Sequence, residues 1–447
     1  MRDVGGEKGL LSSWKEIADY LGCDRRTCLR WEANLGLPIH RMKGISRSRV
    51  FAYKEELNTW RRQALGKNLG DIAKGPSESC VVSKRSKRGY YWFLPVFTCI
   101  IIAIVIGRTG SDQPANFKIL GSRLVILDKD GIERWHFDTN IENLQSERVY
   151  KNQFMIRKPS PQGRPLLPLV IIKDINQDNK KEVLFSTKTL DEYGEGELYC
   201  FSNKGRQLWR FKEWPELQFG EKVYSPDYRI MGFEASDIND DGRSEILIIA
   251  AHMQDFPSML VVLNHQGKKI GEFTNCGRIH DLAYADLERG GSKELLIAGV
   301  NNEYGKGFLA VFDTALIKGC SPQQGPEYIS KDLGEGSERY YVLFPRTDVD
   351  IVENWMMEGL ETIHILKNHR IRLEPSHSQI SFELDSKMRI LDVKDSHVFE
   401  NKHREFLASG KIKSTLNDEY WNSLRRGLQY WDGKGWTLIP TVNLLKN

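Results

Sequence analysis

Two short patterns recur in the second part of this 447-residue chain, and they restrict its possible folds more than any other feature. The first pattern is strand, turn, strand, in LVILDKDGIERWHF (124–137), LYCFSNKGRQLWRF (198–211) and LVVLNHQGKKIGEF (260–273). A glycine stands seven residues after the first leucine of each copy, as Gly131, Gly205 or Gly267. Because glycine adopts a positive φ without strain, each copy predicts a tight β-hairpin.

The second pattern is an acidic loop that runs into an apolar strand. Its copies are DINQDNKKEVLF (174–185), DINDDGRSEILII (237–249) and DLERGGSKELLIA (286–298), and each precedes a hairpin-type segment by about 20 residues. Each unit therefore supplies about four short strands, which is the size of one propeller blade. We predict an all-β propeller over residues 108–447, where about 340 residues allow roughly six or seven blades.

The acidic loops resemble the FG-GAP or VCBS repeats of integrin-like β-propellers, over most of residues 110–320. This resemblance implies that the loops hold calcium through oxygen atoms at alternate positions and a later carboxylate. The expected ligands are Asp237, Asn239, Asp241 and Glu245 in the second loop and Asp174, Asn176, Asp178 and Glu182 in the first. The third loop has Gly290 at its fifth position and is expected to bind no metal. Alternatively, the Asp and Asn side chains only form turns between strands.

The first part of the chain is basic. Residues 1–89 hold 19 Lys and Arg against 10 Asp and Glu, whereas residues 90–447 have a net charge of −5. Ser13 and Glu16 have the form of a capping box, and apolar residues at helical spacing follow. A second helix is predicted over residues 25–35, two strands over 39–42 and 49–53, and a third helix over 54–62. The prediction is a small α-rich winged helix-turn-helix domain.

Residues 12–63 resemble the winged helix-turn-helix of the MerR and excisionase group, through SWKEIADYLG, RRTCLRWE and AYKEELNTW. In that group the second helix enters the major groove of double-stranded DNA and the wing contacts the backbone. The resemblance implies DNA contacts by Arg25, Arg26, Thr27 and Arg30 from the helix and by Arg41, Lys43, Arg47 and Arg49 from the wing. Arginine suits both base edges and phosphates. Alternatives are a solvated basic face or a protein-contact module.

An apolar segment separates the two parts. Residues 90–107 (YYWFLPVFTCIIIAIVIG) carry no charge, and 18 residues are about the minimum for a helix that crosses ~30 Å of hydrocarbon. Four Lys and Arg precede the segment and one follows it, which places the N-terminus in the cytoplasm. We therefore predict a single transmembrane helix in the bacterial cytoplasmic (inner) membrane. The predicted domains are 1–66 for DNA binding, 67–89 as a basic flexible linker, 90–107 in membrane lipid and 108–447 as an exported propeller.

This combination favours a membrane-anchored one-component transcription regulator, homodimeric when active, whose propeller binds an exported ligand or partner protein. No G-x-S-x-G, P-loop or H-E-x-x-H motif occurs, so we expect no enzyme and no cofactor besides calcium. One alternative is a quinone-dependent dehydrogenase, since Trp135 and Trp209 resemble the blade tryptophans of that class. Another is an adhesion module. Cys200, Cys276 and Cys320 are expected to be buried thiols, with room for one pair.

Overall fold

The computed structural model describes residues 10–21, 28–29, 32, 37–41, 50–60, 113–155, 158–159, 165–190, 196–253, 256–353 and 357–441. The chain divides into two compact units, Met1–Phe93 and Leu94–Asn447, and each is presented by itself below. The internal domain limits that the sequence predicts all fall between residues 61 and 112. They lie outside the described residues and stay predictions.

The described residues of the first unit form a small sheet and a helix. Strands β1 (Leu10–Leu11), β2 (His40–Arg41) and β3 (Val50–Tyr53) are antiparallel and lie in the order β1-β3-β2. Helix α1 (Trp14–Leu21) buries Ile17 and Ala18, and its Glu16 N–H donates to Ser13 Oγ at 3.2 Å. Residues 54–60 are also helical. Ser13 and the apolar spacing of α1 therefore act as the sequence pattern indicates, whereas the Glu16 carboxylate accepts the N–H of Ser12 at 2.8 Å instead of that of Ser13.

The predicted fold class was wrong. The structure is mostly β, and no α-rich winged helix-turn-helix domain is evident in the described part of residues 10–60. Strand β3 pairs antiparallel with β2, as predicted for residues 39–42 and 49–53, and also with β1, so it is the central strand of a three-stranded sheet. Of the predicted second helix, only residues 28, 29 and 32 are described, and all three are helical. The DNA-binding and transcription-regulation interpretation depended on that domain, and we withdraw it.

The predicted membrane placement is corrected as well. Within the described ranges, no helix combines the length and the apolar character that crossing a membrane requires. The apolar segment on which the prediction depended, residues 90–107, lies outside those ranges. The predictions of a single transmembrane helix and of inner-membrane localisation are therefore not supported.

The described residues of the second unit are mainly antiparallel strands. In chain order, the elements are β4 (Asn116–Leu120), β5 (Arg123–Leu127), β6 (Glu133–Asp138), α2 (Glu147–Asn152), β7 (Lys158–Pro159), β8 (Pro165–Leu166), β9 (Val170–Lys173), β10 (Glu182–Ser186), β11 (Leu198–Phe201), β12 (Gln207–Phe211), β13 (Leu217–Phe219), β14 (Lys222–Tyr224), β15 (Tyr228–Ser236), β16 (Glu245–His252), β17 (Ser258–Leu263), β18 (Lys269–Asn275), β19 (Ile279–Ala285), β20 (Glu294–Asn301), β21 (Lys306–Asp313), β22 (Tyr340–Leu343), α3 (Asp348–Val352), β23 (Leu360–Ile365), β24 (Ile371–Pro375), β25 (Ile380–Leu384), β26 (Ile390–Asp395), α4 (His397–Ala408), α5 (Asp418–Arg426), β27 (Gln429–Trp431) and β28 (Trp436–Thr437).

Five sheets of three or more strands follow one another in this described part of the chain. We number them sheet 1 (β4–β6), sheet 2 (β9–β12), sheet 3 (β15–β18), sheet 4 (β19–β22) and sheet 5 (β23–β26). Strands that are consecutive in sequence are neighbours in each sheet, and β27 and β28 extend sheet 4 beyond β22. β7–β8 and β13–β14 are separate two-stranded hairpins. A succession of small antiparallel sheets of this kind is the propeller type of architecture.

The second strand of an inner sheet is apolar on both faces because it lies between two cores. In β16, Ile246 and Ile248 pack into the core shared with sheet 2, whereas Leu247 and Ile249 pack into the core shared with sheet 4. Side chains alternate between the two faces of a strand, so an unbroken apolar run fills both cores. β10 and β20 have the same pattern, which places sheets 1 to 5 in consecutive packing order.

The expectation of six or seven blades was wrong for the described residues, which contain five such sheets. Sheet 5 shares its core with sheet 4 and with the helices α4 and α5, which contribute Phe399, Phe406 and Leu424. Residues 397–408 and 418–426 are therefore helical, where the expectation of six or seven blades assumed further strands. The chain then returns to sheet 4, where β27 pairs with β22.

Candidate functional site

The three acidic loops join the first two strands of sheets 2, 3 and 4, and they share one hydrogen-bond pattern. The first aspartate accepts the N–H of the residue five positions later at 2.8–2.9 Å, as Asp174 from Asn179, Asp237 from Gly242 and Asp286 from Gly291. The glutamate that begins the next strand accepts the N–H of the residue after that aspartate, as Glu182, Glu245 and Glu294 do. Each loop is therefore closed by hydrogen bonds between its own residues.

Burial raises the pKa of each of these three glutamates, and carboxylates in the same loop raise it further. In the second loop, the added repulsion on Glu245 comes from Asp241 and Asp237. A nearby positive charge would lower the pKa and stabilise the loop. In the second loop such a charge comes from Lys293, whose Nζ lies 2.5 Å from Asp240 Oδ1 and donates to the Asp237 carbonyl at 2.9 Å. Asp240 is not one of the predicted calcium ligands.

In the second loop, one carboxylate oxygen lacks a partner. Asn239 Nδ2 lies 3.2 Å from Glu245 Oε1, and Asn239 Oδ1 accepts the Asp241 N–H at 3.0 Å. Asp237 Oδ1 is buried and has no hydrogen-bond partner. A buried acceptor of this kind suits a bound cation such as calcium. The fit is incomplete, because no group of three or more His, Cys, Asp or Glu side chains in the described residues is arranged to hold a metal ion.

The first and third loops have cationic side chains close to their carboxylates. In the first, Asp178 lies 3.5 Å from Lys180 Nζ and accepts the Lys180 N–H at 2.8 Å, and Asn176 accepts the Asp178 N–H at 2.9 Å. In the third, the Arg339 guanidinium contacts Glu294 at 3.2 Å and Glu288 at 2.7 Å. The chain therefore neutralises part of the acidic charge in both loops.

The side chains predicted to contact DNA lie outside the described residues. Arg25, Arg26, Thr27, Arg30, Lys43, Arg47 and Arg49 lie outside the described residues, and of Arg41 only the backbone is described, in β2.

A further site, which the sequence patterns did not reveal, is a cleft of about 620 Å³ beside sheets 3 and 4. We call it the aromatic cleft, and it is lined by Phe219, Gly220, Glu221, Lys222, Tyr224, Phe256, Asn302, Pro326, Glu327 and Tyr328. One wall is the β13–β14 hairpin. The other is part of residues 314–339, which connect β21 to β22 and are called the crossing segment below.

Backbone hydrogen bonds tie the hairpin to the crossing segment. The Gly220 N–H donates to the Ile329 carbonyl at 3.0 Å, and the Lys331 N–H donates to the Gln218 carbonyl at 3.1 Å. Gly220 has φ +56°, and a Cβ atom there would lie 2.8 Å from Glu327 Cα. Glycine is required at this position because both the conformation and the close approach exclude a side chain. The two walls are thus held at a fixed separation.

Four aromatic rings from distant parts of the chain meet at the cleft. Phe256 is central, with its ring centroid 5.3 Å from Phe219, 5.0 Å from Tyr224 and 5.8 Å from Tyr328. The rings meet edge to face, the arrangement that aromatic quadrupoles favour. The sequence offers little signal for this site, because its residues come from four segments that share no motif.

The rim of the cleft is charged and mainly acidic. Glu221 and Glu327 are exposed carboxylates, and Lys222 is the cation that lines the cleft with them. Lys222 Nζ lies 4.6 Å from the centre of the Tyr224 ring, which is a cation–π contact. Behind the rim, Glu303 accepts the N–H groups of Gln324 and Gly325, at 3.1 and 2.6 Å, and so positions the crossing segment.

Two Ser–His–Asp groups lie in the part of the chain that the structure describes, and neither is arranged as a catalytic triad. Behind Tyr224, the Ser225 hydroxyl donates to Asp227 Oδ2 at 2.5 Å and lies 3.4 Å from His252 Nε2. Around α4, Ser414 and Asp348 both face the same nitrogen of His403, at 3.4 and 3.5 Å. A triad needs the histidine between the other two groups, with one ring nitrogen for each. These groups therefore give no support to nucleophilic catalysis.

Comparisons with known proteins are sparse. No protein-family model matches the chain, and no curated protein matches it. Among solved structures, a protein of unknown function from Bacteroides caccae is 13% identical, with 64% of this chain and 74% of that one covered at a TM-score of 0.26. The Dos1 propeller is 11% identical, with the same coverage of both chains at a TM-score of 0.25. TM-scores this low do not support an inference about fold or function. The propeller-type architecture is therefore based on the order of the sheets described above.

Proposed function

We propose that the second unit is a binding module and that its ligand occupies the aromatic cleft. The observation that carries this proposal is the convergence of four aromatic rings on one open cleft of about 620 Å³ with a mainly acidic rim. Ligand sites are commonly apolar clefts of this size with a few charged groups at fixed positions. The ligand class that fits combines an aromatic or apolar body with a cationic group.

We infer the charge of the ligand from the charged residues at the rim of the cleft. The aromatic rings offer stacking surfaces, and Glu221 and Glu327 offer two carboxylates at the opening. Lys222 already places an ammonium group over the Tyr224 ring, so the geometry of the site accommodates a cation there. An incoming cation would take the place of Lys222 and pair with the carboxylates.

Binding suits the described residues better than catalysis does. Trp135 and Trp209, which suggested a dehydrogenase, pack against Gly205 and Gly267 of the following sheets. Those rings are engaged in packing between sheets, which is a structural role. We therefore propose that the second unit senses a ligand and that it has no enzyme activity. The regulator function and the homodimer required the first-unit domain, and we do not propose them.

Three small probes of nearly equal size test the ligand class. Benzamidine is aromatic and cationic, benzamide is aromatic and neutral, and benzoate is aromatic and anionic. We expect benzamidine to raise the thermal midpoint of the full chain more than benzamide does, and benzoate to have no effect, because binding to the folded state alone stabilises it. Equal shifts from all three probes, or no shift from any, would refute the proposal.

We also propose calcium binding at the second acidic loop, supported by the buried and unpaired Asp237 Oδ1. Asp237, Asn239, Asp241 and Glu245 would supply the oxygen ligands, and the ion would offset the repulsion that raises the pKa of Glu245. The first loop, with Asp174, Asn176, Asp178 and Glu182, is the weaker candidate because Lys180 lies beside Asp178.

A further inference from the structure

Two buried thiols lie in contact behind the aromatic cleft. Cys276 Sγ and Cys320 Sγ are 4.0 Å apart, and the two residues are 0% and 8% exposed. Cys276 follows the end of β18, whereas Cys320 belongs to the crossing segment. Both pack into a small apolar cluster that includes Phe219, Tyr224 and Phe256. The pair therefore joins the crossing segment to sheet 3 directly beneath the cleft.

The two backbones around these thiols are already paired. The Thr274 N–H donates to the Gly319 carbonyl and the Ser321 N–H donates to the Thr274 carbonyl, both at 2.9 Å. The Cys276 N–H also donates to Ser321 Oγ at 2.9 Å. A disulfide requires the sulfur atoms to approach to ~2.0 Å. The two sulfur atoms are 4.0 Å apart on backbones that are hydrogen-bonded to each other, so about 2 Å remains to be closed.

The pair has a route to solvent and a link to the cleft wall. Cys320 lines a second cavity of about 170 Å³, which is formed by the crossing segment and Trp431. Cys276 Sγ lies 3.4 Å from the carbonyl oxygen of Tyr328, whose ring lines the aromatic cleft. Cys320 is the thiol that an oxidant reaches first, because it lines this cavity and is 8% exposed whereas Cys276 is fully buried.

We propose that Cys276 and Cys320 form a redox-active pair that closes to a disulfide and fixes the crossing segment to sheet 3. The oxidant is a small-molecule disulfide. The Cys320 thiolate attacks it, forms a mixed disulfide and releases one small thiol. Cys276 then attacks the Cys320 sulfur, forms the internal bond and releases the second small thiol. Two cysteine thiols are oxidised, and one disulfide molecule is reduced to two thiols.

Closure has two structural consequences. The covalent bond reinforces the pairing of residues 274–276 with 319–321, which stabilises the folded chain. It also removes the S–H group that Cys276 directs at the Tyr328 carbonyl. Oxidation of the pair therefore changes a contact at the wall of the aromatic cleft. Formation of the disulfide does not require a ligand in the cleft.

The test is native oxidation of the full chain with 2-hydroxyethyl disulfide, followed by alkylation, digestion and mass spectrometry without reduction. We expect a linked peptide containing Cys276 and Cys320, with loss of two hydrogen atoms, and a higher thermal midpoint that returns to its starting value after reduction. Cys320→Ser should abolish both effects. Cys200→Ser should leave both unchanged, because Cys200 is buried in β11, away from this cluster.

Two results would overturn the proposal. One is that Cys276 and Cys320 remain unlinked while the small disulfide modifies other thiols of the folded chain. The other is that Cys276 pairs with Cys200 as often as with Cys320, which would show that the chain had opened. If Cys320→Ser does not fold, Cys276→Ser provides the same comparison, since each variant removes one of the two sulfurs.

Discussion

The indole ring of Trp135 lies directly on Gly205, the turn glycine of the next sheet. A Cβ atom at Gly205 would be 2.7 Å from Trp135 Cγ, and Trp135 Nε1 donates to the Asn203 carbonyl at 3.1 Å. The same relationship joins Trp209 to Gly267, where Trp209 Nε1 donates to the His265 carbonyl at 3.0 Å. The hairpin glycine thus has two roles, to form the turn and to receive the tryptophan of the preceding sheet.

We predict that Gly205→Ala destabilises the chain more than Gly131→Ala does. Both glycines have nearly the same φ, +82° and +79°, so alanine meets similar left-handed strain of about 1–2 kcal/mol at each position. Only Gly205 is covered by a ring, and the displaced indole should add about 1–3 kcal/mol. The measurement is the free energy of unfolding in urea.

Trp135→Ala provides the control for this comparison. In that background the ring is absent, so the cost of Gly205→Ala should fall to the cost of Gly131→Ala, where nothing lies within 4 Å of the added Cβ. An unchanged cost would mean that the indole contact does not restrict Gly205.

Gly205 and strand β16 show which features of the structure the local sequence predicts. The hairpin at Gly205 follows from local spacing, because a tight turn needs positive φ at a fixed place. The unbroken apolar run of β16 likewise indicates a strand with a core on each side. Both features are encoded within about ten residues, and both are present in the structure.

Other features depend on contacts between distant segments, and local patterns do not contain them. The aromatic cleft brings Phe256 together with Tyr328, which lies 72 residues later in the chain. β1 (Leu10–Leu11) pairs with β3 from the other side of α1 in the chain, and the sequence patterns did not predict this strand. Residues 397–408 and 418–426 form helices against sheet 5, where continuing the repeat predicted another blade.

Calcium should stabilise the chain through the second acidic loop. Millimolar calcium is expected to raise the free energy of unfolding by about 1 kcal/mol, if the affinity is in the range of weak extracellular sites. Replacement of both Asp237 and Asp241 by Ala should remove this gain. Asp286→Ala, in the third loop, should keep it, because Arg339 already neutralises that loop. The same melting curves with magnesium provide the ion control, and a wild-type chain without any calcium response would make the loops purely structural.

The carboxyl group of Asp350 should make stability fall as the pH rises. Its Oδ2 accepts the N–H and O–H of Thr347 at the start of α3, whereas its Oδ1 is buried without a hydrogen-bond partner. Burial, with the nearby Glu358, raises the pKa of Asp350 to about 6 from the ordinary 3.8. A raised folded-state pKa contributes stability below the unfolded value, and that contribution is lost as the pH rises through the folded value.

Asp350→Asn removes this titration and retains one acceptor for Thr347. We expect the free energy of unfolding of the wild type, relative to Asp350→Asn, to fall by about 2 kcal/mol between about pH 4 and pH 7. Asp395→Asn, at an exposed carboxylate, should not show this difference. Parallel pH curves for the wild type and Asp350→Asn would contradict the assignment.

The affinity of benzamidine for four forms of the full chain, measured by calorimetric titration, tests the central claim most directly. Replacing both Glu221 and Glu327 by Gln should weaken binding about five-fold, since rim charges contribute up to about 1 kcal/mol. Lys222→Met should strengthen binding, because it removes the cation that lies over Tyr224. Glu216→Gln, an exposed carboxylate that does not line the cleft, should match the wild type. One affinity shared by all four forms would show that the aromatic cleft is not the binding site.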